Sequence, residues 1–205
     1  MEADQSEKEA VMEAINKRLP ELDKWISRPE WKILEETAEY KLFYLDEESG
    51  LRSIKSEIII EKPMKTIYDY ICDISTKVNY DHSFECGQDV TKFDDNYYLQ
   101  YYKYKGKLVF SPRDFFVANY RTYSEDFCEL FGTNFASDKH PAFYKIERAE
   151  LIYGGFRLKK VEEGKILVTY YTLGDMHINQ YLINTTLREV AYQVKYLKDI
   201  LMKQP

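Results

Sequence analysis

The chain has 205 residues, 44% apolar and 31% charged, with only 8 Gly and 6 Pro, which suits one packed domain and excludes a low-complexity or disordered chain. Its net charge of −6 argues against a dedicated nucleic-acid binder. No apolar run approaches the roughly 20 residues that span a bilayer, and residues 1–5 lack both parts of a secretory signal. A cytosolic chain is therefore expected, and Cys72, Cys86 and Cys128 fit a reduced compartment rather than a disulfide framework. The aromatic share of 16%, with 19 Tyr, is more than a core can hide without hydroxyl partners, so pockets, interfaces and membrane rims are expected.

No repeat, linker or composition break divides residues 1–205, and one domain is the reading. Residues 6–19 carry Val11, Ala14, Ile15 and Leu19 at helical spacing, and the stripe resumes after Pro20 with Leu22, Trp25 and Ile26, giving an N-terminal helix with a break. Residues 31–45 and 51–61 read as two strands joined by a turn at 46–50, with Ile54, Ile58 and Ile60 toward the core and Lys55, Glu57 and Glu61 on the other face. Pro63 opens a helix whose apolar positions are Met64, Ile67, Tyr70, Ile71 and Ile74, and a short helical or turn segment follows at 75–82.

Residues 86–173 are almost all strand, with runs at 97–105, 113–123, 127–135, 148–160 and 165–173. The last element is a helix from about 178 to 202, whose stripe of Ile183, Leu187, Val190, Val194, Leu197 and Leu201 must lie on an extended apolar surface. The order predicts an α+β fold in which an antiparallel sheet grips a long C-terminal helix, with room for a cavity between them.

Several motifs then stand in a telling order. Ser111-Pro112-Arg113-Asp114-Phe115-Phe116-Val117 contains a Pro-Arg-Asp-aromatic sequence, preceded by Tyr80-Asp81. After it come His140-Pro141, Glu147-Arg148-Ala149, Gly154-Gly155, Gly174-Asp175 and Tyr181-Leu182-Ile183-Asn184. Together these resemble the steroidogenic-acute-regulatory-protein-related lipid transfer (START) domains over residues 25–203, with residues 1–24 as an N-terminal helix. Tyr80 replaces the family's usual Trp, and Asn179 stands where many members have Pro, which bears on subfamily.

The resemblance implies a helix-grip fold: a curved antiparallel sheet wrapped around the C-terminal helix, with an internal tunnel that binds one lipid and carries it between membranes. Moving a two-chain lipid through water exposes about 30 methylenes at about 0.8 kcal/mol each, so a dry tunnel removes roughly 25 kcal/mol of cost. The pattern is nearest to phosphatidylcholine-transfer-type members, which implies a glycerophospholipid such as phosphatidylcholine. Sterol carriage, a lipid-sensing regulatory module and, last, a helix-grip cyclase or hydrolase are the alternatives.

For the headgroup the resemblance points to Lys77 and Asp81 near a phosphate, and to Tyr102 and Phe115 as two walls of a choline cage whose third wall falls at Ile152. Gln100 and Asn119 occupy the places where cholesterol carriers hold a charged pair, and Arg121 shares the strand face of Asn119 and supplies a substitute charge. Arg113-Asp114 reads as an ion pair pinning a loop, and Glu147-Arg148 as structural. Leu108, Val109 and Phe110 form an expected membrane gate, with Arg188, Lys195 and Lys198 adding attraction to anionic headgroups alongside Lys103, Lys105 and Lys107. The same three apolar residues also read as a strand end packed in the core.

Catalysis is not expected, because there is no Gly-x-Ser-x-Gly elbow or phosphate-cradling loop. His82, His140 and His177 show no metal spacing, so neither metal nor cofactor is expected. The partners expected are a phospholipid and, transiently, a membrane surface, with no nucleic acid and a monomeric chain.

Overall fold

The computed structural model describes residues 5–106, 111–141, 143, 145–178 and 188–204. The N-terminal segment is α1 (Gln5–Arg18), a 3-10 turn (Leu19–Glu21) and α2 (Leu22–Ile26). Pro20 sits in the first turn of the 3-10 segment, where its missing N–H forfeits no helical bond and its ring ends α1.

The first expected strand is in fact two, β1 (Lys32–Glu36) and β2 (Tyr40–Asp46), followed by β3 (Arg52–Ile60). Thr37 divides them: its Oγ1 accepts from the backbone N–H groups of Glu39 and Tyr40, both at 3.2 Å, closing a turn that alternation alone does not reveal. The helices α3 (Met64–Cys72) and α4 (Lys77–Tyr80) come next, joined by a 3-10 turn, and then β4 (Phe84–Lys92) and β5 (Tyr97–Tyr104). The remaining strands are β6 (Arg113–Tyr123), β7 (Phe127–Asn134), the two-residue β8 (Glu147–Arg148), β9 (Glu150–Glu162) and β10 (Lys165–Asp175). A helical turn at 188–191 leads through Tyr192 into α5 (Gln193–Leu201), so the described part of the expected final helix begins at residue 188.

The strands form one sheet in the order β1-β2-β3-β10-β9-β7-β6-β5-β4, with β8 paired parallel to β6 and every other pairing antiparallel. Both faces are covered. On the inner face Ile54, Ile58 and Ile60 pack with Ile67 of α3 and with Val194, Leu197 and Leu201 of α5. On the outer face Val11, Ile15, Leu22 and Trp25 pack on Leu99, Phe116, Phe131 and Tyr171. Each fully buried Leu or Ile contributes roughly 1.5–3 kcal/mol, so both cores are substantial.

Lys55 takes the outer face as expected and is nevertheless buried. Its Nζ lies 5.1 Å from the Trp31 ring centre and 4.6 Å from that of Phe43, and donates to the Ile26 carbonyl at 3.3 Å. Burial lowers the pKa of this ammonium. Among the described residues no helix is long and apolar enough to cross a membrane.

Candidate functional site

The inner face does not close completely on its helices. Between α3, α4 and α5 and strands β3, β10, β9, β7, β6 and β5 lies a cavity of about 240 Å3. Its lining is mixed: Ile54, Ile71, Leu130 and Phe156 supply apolar surface, and Lys77, Asp81, Gln100, Tyr102 and Asn119, from β5, β6 and the α4 end, supply polar groups.

The α3–α4 junction sets the first two of these. The Asp73 carboxylate accepts from the Ser75 N–H at 2.9 Å, opening the 3-10 turn, and Thr76 Oγ1 donates to the Tyr70 carbonyl at 2.6 Å. The chain then enters α4 with Lys77 and Asp81 one turn apart and both turned inward. Lys77 Nζ lies 3.4 Å from Asp81 Oδ2 in an ion pair without hydrogen-bond alignment, so this buried oxygen has no hydrogen-bond donor among the described residues. The same ammonium stands 5.7, 5.6 and 5.7 Å from the ring centres of Tyr80, Phe84 and Tyr102, a cation held by aromatic faces.

Strand parity places Tyr98, Gln100, Tyr102 and Tyr104 on the inner face of β5, and Phe115 and Asn119 on that of β6. The Tyr102 hydroxyl donates to Gln100 Oε1 and lies 3.4 Å from Asn119 Oδ1. Gln100 Nε2 donates to Asp89 Oδ1 at 2.7 Å, and Asn119 Nδ2 to the Val117 carbonyl at 3.0 Å. Gln100 and Asn119 therefore form, with Tyr102, a neutral chain that satisfies its own members. Gly132 makes room for it, since a Cβ there would lie 2.9 Å from Asn119 Oδ1. Burial raises the pKa of Tyr102, keeping its hydroxyl neutral.

Six of the seven expected headgroup residues thus line one cavity, and Arg121 does not. It lies near the end of β6, 4.9 Å from the ring centre of Tyr98, a residue that does line the cavity, with its Nε donating to the Asp95 carbonyl at 2.9 Å. Ile152 belongs to the outer cluster, and its neighbours Leu151 and Gly154 face inward instead. The third wall of the expected cage is therefore missing there, and Tyr104, 5.5 Å from Phe115 in an edge-to-face pair, stands closest to that role.

Among the cavity residues that the sequence reading did not assign to the site are Tyr104, Tyr170 and Gln193. Gln193 is 3% exposed, its Nε2 donates to the Tyr170 hydroxyl at 3.3 Å, and its Oε1 has no partner among the described residues. Burial raises the pKa of Tyr170 and of Tyr104, and the Asp81 charge beside both adds to the shift.

The motif at residue 113 is structural, with a different pairing from the expected one. Arg113 and Asp114 are neighbours on a strand, point to opposite faces and cannot pair with each other. Parallel pairing with β8 sets Arg113 against Glu147 and Asp114 against Arg148. Arg113 Nη2 lies 2.9 Å from Glu147 Oε2, and the fully buried Asp114 receives Arg148 Nε at 2.7 Å and Nη2 at 3.2 Å. Arg113 also donates to the carbonyls of Ser111 at 2.8 Å and of Met176 at 2.7 Å.

Leu108, Val109, Phe110 and Lys107 lie outside the described residues. Of the expected basic edge, Lys103 pairs with Glu85 at 2.7 Å, Lys105 donates to the His82 carbonyl at 2.9 Å, and Arg188 lies 3.8 Å from Glu35. Lys195 stands over the rings of Tyr40 and Tyr192, and Lys198 is partly buried on α5.

Comparison with known proteins agrees with this architecture. The family described as START domain matches residues 7–196. Human StAR-related lipid transfer protein 5 superposes with a TM-score of 0.83 at 15% identity, covering 98% of this chain and 99% of that one. Human STARD10 gives 0.80 at 16% identity over 93% of this chain and 80% of that one. The human StarD13 (DLC2) lipid transfer and protein localization domain gives 0.72 at 16% identity, over 93% and 97%. No curated protein matches by sequence. At these identities the structural likeness speaks for the fold, which is the expected helix grip.

Proposed function

The chain belongs to the START domain family, and on that premise we propose that it binds one lipid in the inner cavity and carries it between membranes. The observation that supports this reading is the mixed lining of the cavity. Ile54, Ile71, Leu130 and Phe156 offer apolar surface to hydrocarbon, while Lys77, Asp81, Gln100, Tyr102 and Asn119 offer polar groups. An amphiphile needs both, because a buried polar head without partners costs roughly 2–7 kcal/mol.

A glycerophospholipid is the cargo this reading favours, with its phosphate drawn to Lys77, the cation among these polar groups. Phe115 and the α4 end of the cavity hold the head, and the acyl chains run along the apolar residues. Residues 108–110, together with Arg188, Lys195 and Lys198, form the membrane-facing edge in this reading. Docking there is transient, as a shuttle requires.

The test is native mass spectrometry of the purified chain after incubation with mixed vesicles, with lipid analysis of the solvent extract. One phospholipid per chain is the expected result, and a chain that stays empty overturns the carrier reading. Leu130→Trp should fill the cavity from an apolar position and weaken lipid uptake by about tenfold or more, the loss of roughly 1.4 kcal/mol of binding, while circular dichroism stays native. Unaltered uptake in a folded Leu130→Trp protein would place the lipid elsewhere.

A further inference from the structure

Among the described residues, two buried polar groups face the cavity with hydrogen-bonding capacity unused. Asp81 is 3% exposed, and its Oδ2 has no hydrogen-bond donor, because Lys77 Nζ at 3.4 Å is out of alignment. Gln193, equally buried on α5, satisfies Tyr170 with one end of its amide and leaves the other end bare. Reversing the amide exchanges the bare end from oxygen to nitrogen without filling it.

The two groups are neighbours across the cavity. Tyr170 bonds to Gln193 and feels the Asp81 charge. His82, next to Asp81, stacks 4.2 Å from Tyr196, which lies one turn beyond Gln193. The Gln100–Tyr102–Asn119 chain is different, since its members already bond to one another and to Asp89 and Val117. A ligand must break bonds to engage that chain, whereas at Asp81 and Gln193 it relieves a cost of unpaired burial.

A carboxylate oxygen accepts only, so its missing partner is a donor. A hydroxyl or a primary ammonium supplies one, and a hydroxyl also satisfies either end of the Gln193 amide. A quaternary ammonium has no N–H to give and binds instead to aromatic faces. Beside Asp81 the faces of Tyr80, Phe84 and Tyr102 already meet the Lys77 ammonium. We infer that Asp81 and Gln193 form a second polar pole that selects lipids whose head donates hydrogen bonds, a primary ammonium or a hydroxyl, over lipids with a quaternary ammonium head. The inference rests on the carrier reading and narrows its cargo away from phosphatidylcholine.

The experiment uses vesicles that each carry one member of two matched series with identical acyl chains. The first is phosphatidylethanolamine, its N-methyl and N,N-dimethyl derivatives, and phosphatidylcholine, in which each methyl removes one donor. The second is diacylglycerol against its O-methyl ether. The expected result is that binding falls as donors are removed, by about tenfold or more across at least one series. Gln193→Met and Asp81→Asn should each flatten that series while still taking up lipid, and if Asp81→Asn does not fold, Gln193→Met alone carries the test.

Phosphatidylcholine binding as well as phosphatidylethanolamine, with no discrimination in the second series, overturns the inference and leaves the carrier reading intact. A donor-dependent series that neither variant alters overturns the assignment to Asp81 and Gln193. If no lipid of either series is taken up and the native-mass experiment also finds an empty chain, the carrier reading itself has failed.

Discussion

Gly155→Ala is expected to destabilise the domain by about 3 kcal/mol or more, since overpacking against a rigid neighbour lies at the upper end of single-residue effects. Gly155 sits in β9 between Phe131 of β7 and Tyr171 of β10. A Cβ there would stand 1.8 Å from the Leu130 carbonyl oxygen and 3.0 Å from the Tyr171 hydroxyl. The first neighbour is backbone and cannot swing aside, so the β7–β9 ladder must part. At about 2–4 °C per kcal/mol for a chain of this size, the melting temperature should fall by roughly 6–12 °C. Gly164 supplies the contrast: it has a positive φ of 71° in the β9–β10 turn, with nothing within 4 Å of an added Cβ. Gly164→Ala should cost only about 1–2 kcal/mol, from backbone conformation alone. Equal melting temperatures for the two variants would show that the close approach is not what fixes glycine at 155.

The second large effect is expected at Arg113, which is 4% exposed and joins three parts of the chain. Its guanidinium holds Ser111, Met176 and Glu147 together through bonds of 2.8, 2.7 and 2.9 Å. Arg113→Ala should cost about 3 kcal/mol, the range for breaking a buried charged network by removing one member. It should also speed lipid release, because Met176 and its neighbour Ile178 line the cavity. Lysine cannot reproduce a planar fork that reaches three segments, so Arg113→Lys should recover less than half of the loss. Denaturant unfolding gives the first quantity, and lipid desorption into acceptor vesicles the second. Destabilisation without faster desorption would confine Arg113 to holding the fold.

The contrast between these two residues and the headgroup set shows what a linear sequence discloses. The resemblance pointed to Gln100, Tyr102, Phe115 and Asn119, alternation added that Phe115 and Asn119 share a face, and all four line the cavity. Alternation gives the face of a strand but not the depth along it. Arg121 has the same parity as Asn119 and still does not line the cavity, lying over the Tyr98 ring instead. Alternation also forbids the Arg113–Asp114 pair, and the true partners Glu147 and Arg148 lie on a two-residue strand too short to carry a periodic signal. Gln193 was legible in principle. It lies three residues after Val190 and four before Leu197, a polar side chain at a position of the apolar stripe. What no spacing reveals is which buried groups remain unpaired, because that depends on distances between α4, α5 and β10.

The outer core has a consequence for the chain between two deliveries. A carrier that has released its cargo holds a vacated interior, and a protein with one core would then lose part of what keeps it folded. Here Val11, Ile15, Leu22 and Trp25 pack on the opposite side of the sheet from the cavity. None of these four side chains lines the cavity. An unladen chain would thus keep the packing of these four residues.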